Sequence, residues 1–313
     1  MDSTLNQVVN LYKPSGPTSF SMVHSVKKIL GVKKAGHIGT LDPMAEGILP
    51  ICLNQSTRII QFLGPLSKHY QCTMTLGTAT DTQDSTGKTI FSGDTTKITE
   101  TKVQNLLKSF VGKQKQVPPM YSAKKSNGIP LYKLARNGIN IERSPVLIQF
   151  YSIDFVSMKE NRVEFELHCS AGTYVRTLCD DIGKSLGCGA HMSGLIRKQV
   201  GVFAEESSIS PEALEIANSN GNLAELLFSV EKALEFLPEI RITDEFVEHI
   251  GNGNALAKFS LRAYPSKFEP GMILRVCNGS GEVLAIVECL VSHDQFSRMG
   301  PKDIAFKLKR VLI

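Results

Sequence analysis

The chain has 313 residues, 42% of them hydrophobic and 21% charged, with no tryptophan and a net charge of +5. Such a chain suffices for one large domain, or for a medium-sized domain with a smaller partner. It contains no apolar run of about 18 residues and no basic-then-apolar leader at Met1 to Leu11, so neither a membrane span nor a secretory signal is expected, and a cytoplasmic location is.

In chain order, the first predicted element is a helix from Ser19 to Leu30. Met22, Val23, Val26, Ile29 and Leu30 share its apolar face, Thr18 or Ser19 can cap it, and Gly31 ends it. Residues 36 to 50 follow as a loop with three glycines, two prolines and a single aspartate, Asp42. Glycine permits positive φ and proline fixes φ near −65°, so this backbone is shaped for close approach to another group. A loop so constrained commonly carries a site.

Ser85 to Thr89 imitates the end of a phosphate-binding loop, but position 82, where its first glycine belongs, is Thr82. Asp81 and Asp84 fail the calcium-loop spacing, because Thr86 stands where that loop needs glycine. A polar hairpin turn explains the segment better. Lys102 to Val111 then repeats the helical pattern up to Gly112.

Beyond that helix the charge is concentrated. Between residues 113 and 143, Lys113, Lys115, Lys124, Lys125, Lys133, Arg136 and Arg143 face only Glu142, a local balance of +6 that leaves the rest of the chain at −1. Tyr121 and Tyr132 interleave with these charges, and Pro118, Pro119 and Pro130 break the segment. This pattern suits a surface arm that neutralises phosphates and stacks on bases. A solvated, solubilising loop is the alternative reading.

Val146 to Met158 and Val163 to Cys169 read as an antiparallel pair turning at Lys159 to Asn161. Thr173 to Leu186 reads as a helix stopped by Gly187, with Tyr174 and Arg176 at its start. Ser210 and Pro211 form an N-cap and first-turn pair, and a further helix is expected from about Leu223 to Leu237. Met272 to Val276 and Val283 to Leu290 flank a turn at Asn278 to Gly281, and Ile304 to Ile313 reads as a closing strand. Two units are expected, at 1–238 and 239–313, with the arm inserted at 113–145.

The seven cysteines are scattered and form no C-x-x-C pair, so they are read as reduced core residues. Cys188 and His191 lie three apart but lack a second ligand pair, and no metal is expected. What remains is a constellation of Asp42, His37, Tyr70, Tyr174 and Arg176. Singly, each has an ordinary structural explanation, Asp42 as the cap of a turn, and that explanation prevails for all but Asp42.

Together the segments resemble the TruB family of tRNA pseudouridine synthases over most of the first 200 residues. Leu11 to Ser19 resembles the opening motif, and Gly36 to Pro50 resembles the segment with the family's aspartate. Lys68 to Tyr70 with Leu76 to Thr82 resembles a third motif. Pro118 to Lys125 with Gly128, Pro130, Tyr132, Ala135 and Arg136 resembles the RNA-gripping insertion, and Ser170 to Arg176 through Gly183 resembles the motif with paired tyrosine and arginine. Tyr12 and Ala171 depart from common residues at peripheral positions. The C-terminal part resembles a PUA-like module only weakly.

The resemblance implies an α+β pseudouridine-synthase fold: a mainly antiparallel mixed sheet flanked by helices, an inserted arm, and a small β-rich PUA-like C-terminal module. It implies a monomeric enzyme that isomerises uridine to pseudouridine at position 55, in the TΨC stem-loop of tRNA, without cofactor or metal. Asp42 would be the nucleophile on a flipped-out base, kept ionised by Arg176. Tyr70 would stack on the base, Tyr174 and Leu195 would line its pocket, and His37 would fill the space it leaves. Lys113, Lys115, Lys124, Lys125, Tyr132 and Arg136 would grip RNA. A non-catalytic RNA-binding module would not need the rigid Asp42 loop, and a glycoside-type hydrolase would need a second acid, which the sequence does not offer.

Overall fold

The structure, a computed structural model, describes residues 5–313. The chain enters through strand β1 (Val8–Lys13), whose residues are almost all buried, and turns into helix α1 (Ser19–Leu30). The Thr18 hydroxyl accepts from the Ser21 amide, and Gly31 closes the helix at φ 62°, as cap chemistry dictates. Met22, Val23, Val26 and Leu30 form its buried face, each contributing about 1.5–3 kcal/mol by leaving water.

Strands β2 (Ala35–His37) and β3 (Glu46–Leu53) follow, with the Asp42 loop between them. A short helix α2 (Ile60–Leu63) leads to β4 (Lys68–Leu76), and the hairpin β5 (Thr78–Thr80) and β6 (Thr89–Ser92) precedes helix α3 (Glu100–Ser109). Next come β7 (Gly112–Gln116) and the arm, with its small hairpin β8 (Lys125–Ser126) and β9 (Ile129–Pro130) and helix α4 (Leu131–Arg136). The long pair β10 (Val146–Lys159) and β11 (Arg162–Cys169) precedes helix α5 (Val175–Leu186) and strand β12 (Ala190–Val200). Strand β13 (Phe203–Ala204), helix α6 (Pro211–Ser219), strand β14 (Leu227–Phe228) and helix α7 (Val230–Ala233) complete the larger part.

One sheet runs in the order β14-β1-β3-β12-β4-β11-β10-β7, with β2 added to β3 and β13 to β12. Its pairings are antiparallel except β3 with β12, where Gly47 lies opposite Arg197. Gly47 is at φ 103°, and a Cβ there would land 2.2 Å from the Arg197 carbonyl oxygen, so only glycine lets these strands meet. Helices α1, α3, α5 and α6 pack a core that holds Leu49, Cys72, Leu107, Phe165, Leu178 and Leu214.

A second sheet comprises β15 (Glu239–Ile242), β16 (Leu261–Ala263), β17 (Ile273–Cys277), β18 (Val283–Cys289) and β19 (Phe306–Val311), accompanied by α8 (Val247–Gly251) and α9 (His293–Arg298). Cys277, Val283 and Ile286 of this sheet share a core with Val8, Ile38, Ile48 and Cys52. The second sheet therefore braces the strands on either side of the Asp42 loop. Among the described residues, no helix is long and apolar enough to cross a membrane.

Two expectations are corrected. No helix spans Leu223 to Leu237: a single 3-10 turn, strand β14 and the one-turn α7 stand there. Val8 and Val9 pair with Phe228 and Leu227, so a distant sheet edge takes backbone groups that local periodicity had assigned to a helix. Lys113 and Lys115 lie not on the arm but on edge strand β7, opposite Gln149 and Leu147.

Candidate active site around Asp42

The loop from Ile38 to Ala45 owes its shape to groups outside it. Ser19 accepts from the Leu41 amide at 2.8 Å and donates to the Leu41 carbonyl at 3.0 Å. The fully buried Lys13 ammonium donates to the carbonyls of Pro14, Pro43 and Ala45 at 2.8, 3.1 and 2.7 Å. Arg197, also buried, donates to Ile48 and Gly39 carbonyls at 2.7 and 3.0 Å. Two interior cations thus spend their donors on the loop backbone and satisfy carbonyls that would otherwise be orphaned.

Asp42 presents its carboxylate from this frame with 31% of its side chain exposed, and Arg176 Nη2 lies 3.4 Å from Oδ1. Arg176 sits in the first turn of α5, 5% exposed. The same guanidinium donates from Nη1 to Asp84 Oδ2 at 3.4 Å and from Nη2 to the Tyr121 carbonyl at 2.5 Å. One cation therefore joins the Asp42 loop, the β5–β6 hairpin and the base of the arm.

The electrostatics oppose one another. Burial raises the Asp42 pKa, Arg176 pulls it down, Asp84 raises it as a like charge, and Lys13 lowers it. Lys13 itself is lowered to about 8, chiefly by burial, against the pull of Glu46 and Asp42. Burial raises the Tyr70 phenol, whose hydrogen bond to Arg197 works in the opposite direction. His37 is lowered by burial and by Arg197, which favours its neutral form.

Asp84 corrects the expectation of a solitary acid. It is 4% exposed, and its Oδ1 accepts from the Thr82 hydroxyl and from the Thr86 amide and hydroxyl. With Oδ2 on Arg176, its acceptor capacity is committed. It shapes the hairpin turn and the charge at Asp42 rather than facing a substrate, so it does not supply the second acid of a hydrolase.

The structure brings Asp42, Arg176 and the Tyr121 backbone together, with Tyr70 close enough for its phenol to feel the Asp42 charge. Tyr174 caps α5, and its backbone is clamped by Gln116, which accepts from its amide at 2.8 Å and donates to its carbonyl at 3.0 Å. Leu195 lines a cavity of about 350 Å3 with Met44 from the Asp42 loop, Gln71, Thr73 and Ser85. His37 lies on β2 opposite Ile51, with a buried Nδ1 that has no partner.

On the arm, Lys124, Lys125 and Arg136 are exposed, and Arg136 stacks over the Tyr132 ring at 5.5 Å. Cys188 donates to the Gly189 carbonyl, and His191 bonds Thr78, so the pair noted in the sequence is engaged in ordinary contacts. Among the described residues no three His, Cys, Asp or Glu side chains form a group able to hold a metal.

Sequence reasoning missed Lys13, Asp84, Arg197 and Gln116 as parts of this site. A lysine directly after the mainly apolar run Val8 to Tyr12 was the available signal for the first. The others had none, since each is defined by neighbours distant in sequence.

Residues 27–175 match the model of the TruB family pseudouridylate synthase N-terminal domain, and 176–235 that of the tRNA pseudouridylate synthase B C-terminal domain. The chain is 43% identical over 310 residues to tRNA pseudouridine synthase B of Clostridium tetani (strain Massachusetts / E88), covering 99% of this chain and 100% of that one. It is 38% identical to the same enzyme of Clostridium perfringens (strain 13 / Type A), over 99% of both chains. Among solved structures it is similar to a chain of a Cbf5-Nop10-Gar1 complex, with a TM-score of 0.80 and 30% identity over 98% of this chain and 85% of that one. A chain of an H/ACA RNP bound to a substrate RNA containing 2'-deoxyuridine gives a TM-score of 0.79 and 28% identity, over 99% and 86%.

Proposed function

We propose that this chain, which belongs to the TruB family and is a tRNA pseudouridine synthase, acts on position 55 in the TΨC stem-loop, with Asp42 as nucleophile on a flipped-out uridine. The observation that carries the proposal is the Asp42 carboxylate held against the buried Arg176 on a loop fixed by Lys13, Ser19 and Arg197.

The chemistry is an isomerisation. The C1′–N1 bond breaks, C1′ joins C5, the C5 proton leaves and N1 gains one, so no oxidant, phosphate donor or net water is consumed. One ionised carboxylate next to the ribose and base meets that need. Arg176 keeps Asp42 charged against the burial that would neutralise it. Tyr70 stacks on the base, Tyr174 and Leu195 shape its pocket, and His37, neutral and half-buried, stands where a base leaves the stack. Unstacking the uridine costs a few kcal/mol, offset by these contacts and by the arm.

Lys124, Lys125, Tyr132 and Arg136 grip the RNA backbone from the arm, and Lys113 and Lys115 extend that charge along edge strand β7. Residues 239–313 act as a PUA-like RNA-binding module beside the catalytic unit at 1–238. The enzyme works as a cytoplasmic monomer, without cofactor or metal. Incubating it with an unmodified tRNA transcript and mapping pseudouridine tests the reading. Modification at position 55 is expected, and modification only elsewhere would overturn the site assignment.

A further inference from the structure

We infer that the solvent face of α1 is a second tRNA-contact surface, on which Phe20 stacks against the nucleic acid while Lys27, Lys28, Lys33 and Lys34 neutralise its phosphates. The inference rests on tRNA being the substrate, and it concerns a part of the protein separate from the arm.

Charge averaging conceals this surface. Outside residues 113–143 the chain sums to −1, yet from Ser3 to Leu41 there is no acidic residue, and four lysines fall within the eight positions 27–34. Helical periodicity sets Phe20, His24 and Lys28 on one stripe at i, i+4 and i+8. His24 and Lys28 are exposed, and so are Lys33 and Lys34 beyond the left-handed Gly31. None of the four ammonium groups forms an ion pair or hydrogen bond among the described residues, although the neighbouring helix α6 carries Glu212 and Glu215. Unpaired like charges so close together repel one another, and a polyanion relieves that repulsion.

Phe20 gives the surface its second component. It is 79% exposed, more than any other large apolar residue of the described chain, on a helix whose remaining apolar residues are buried or half-buried. Packing does not account for it. An aromatic ring beside a row of unpaired cations is the combination that binds nucleic acid by stacking and charge together.

Position completes the argument. The residue before Phe20 is Ser19, whose hydroxyl is bonded to both backbone groups of Leu41, the residue preceding Asp42. An RNA whose uridine reaches Asp42 therefore meets the N-terminal end of α1, and the eight helical steps from Phe20 to Lys28 carry the stripe ~12 Å away from the site. The arm approaches the same carboxylate through Tyr121 and Arg176 of α5. Substrate RNA is held from both directions.

The test uses the full chain and an unmodified full-length tRNA transcript, with binding measured across a salt series and turnover at saturating tRNA. The triple variant Lys28→Gln, Lys33→Gln, Lys34→Gln is expected to lower the slope of log Kd against log salt by about 2 to 3 and to weaken low-salt binding roughly tenfold, with saturated turnover unchanged. Phe20→Ala is expected to weaken binding about fivefold with the slope unchanged, because stacking releases no counterions. Thermal melting of each variant should match the parent, since all four positions are exposed. A triple variant with parental slope and affinity overturns the proposal. If an arm variant still flattens the slope in that experiment, the reading of the protein as a tRNA enzyme survives. Parental affinity in Phe20→Ala removes the stacking role.

Discussion

Under the proposed function the Asp42 loop and the basic arm serve one RNA, yet they are built on opposite principles. The loop is short, glycine-shaped and tied down by three side chains whose polar groups are buried, Lys13, Ser19 and Arg197. The arm keeps Lys124, Lys125 and Arg136 in solvent and anchors itself through Leu131, which is 2% exposed, and the Tyr121 carbonyl. A reacting group needs fixed neighbours because its ionisation is set within a few ångströms. A phosphate-gripping surface needs accessible charge, whose effect reaches about 8 Å at physiological salt and tolerates movement. Arg176 is the point where the two designs meet.

That contrast can be broken experimentally. The largest effect is expected from Asp42→Asn, which should lower turnover at least ~10³-fold, the scale of losing a reacting group, while tRNA binding stays within a few-fold of the parent. Near-normal turnover would show that the loop carries no chemistry. Arg176→Gln should come next. It leaves Asp84 and Asp42 without their shared cation, at a cost of about 3–5 kcal/mol in stability measured by denaturant titration. In any folded fraction the acidic limb of kcat/KM should move to higher pH, since removing the cation raises the Asp42 pKa further. A parental limb would separate Arg176 from the ionisation of Asp42.

The arm should respond in a different variable. Lys124→Glu with Lys125→Glu should weaken tRNA binding roughly tenfold and flatten its salt dependence by about 2, leaving saturated turnover intact. A loss of turnover with unchanged salt slope would reverse the proposed division of labour. The smallest effect is expected from Asp84→Asn. Removing a like charge lowers the Asp42 pKa, so the acidic limb should move to lower pH, opposite in sign to Arg176→Gln. Movement of both limbs in one direction would mean that neither change acts through Asp42.

Much of this protein is legible locally. The α1 span was set by Thr18, the apolar spacing and Gly31, and it is observed from Ser19 to Leu30. The pair β10 and β11 turns between Lys159 and Arg162 as alternation and the polar turn require. The apolar spacing at Leu223 to Leu237 predicts a helix that does not form, because its apolar residues serve a sheet edge at β1 and a core shared with the second sheet. Periodicity reports which residues are apolar, and it does not report the surface they meet.

The sequence by itself determined the helices with clear caps, the strands with clear alternation, the glycine-shaped loop that presents Asp42 and the concentration of charge at 113–143. These depend on interactions spanning a few residues. The tertiary structure alone decided that Asp84 shares Arg176 with Asp42, that Lys13 and Arg197 hold the loop from beneath, and that Lys113 and Lys115 belong to a sheet edge. Each of those facts joins residues 30 to 158 positions apart, apart from the strand edge fixed by β10. A charge acquires its pKa from whatever the fold places within a few ångströms, and no local pattern encodes that neighbour.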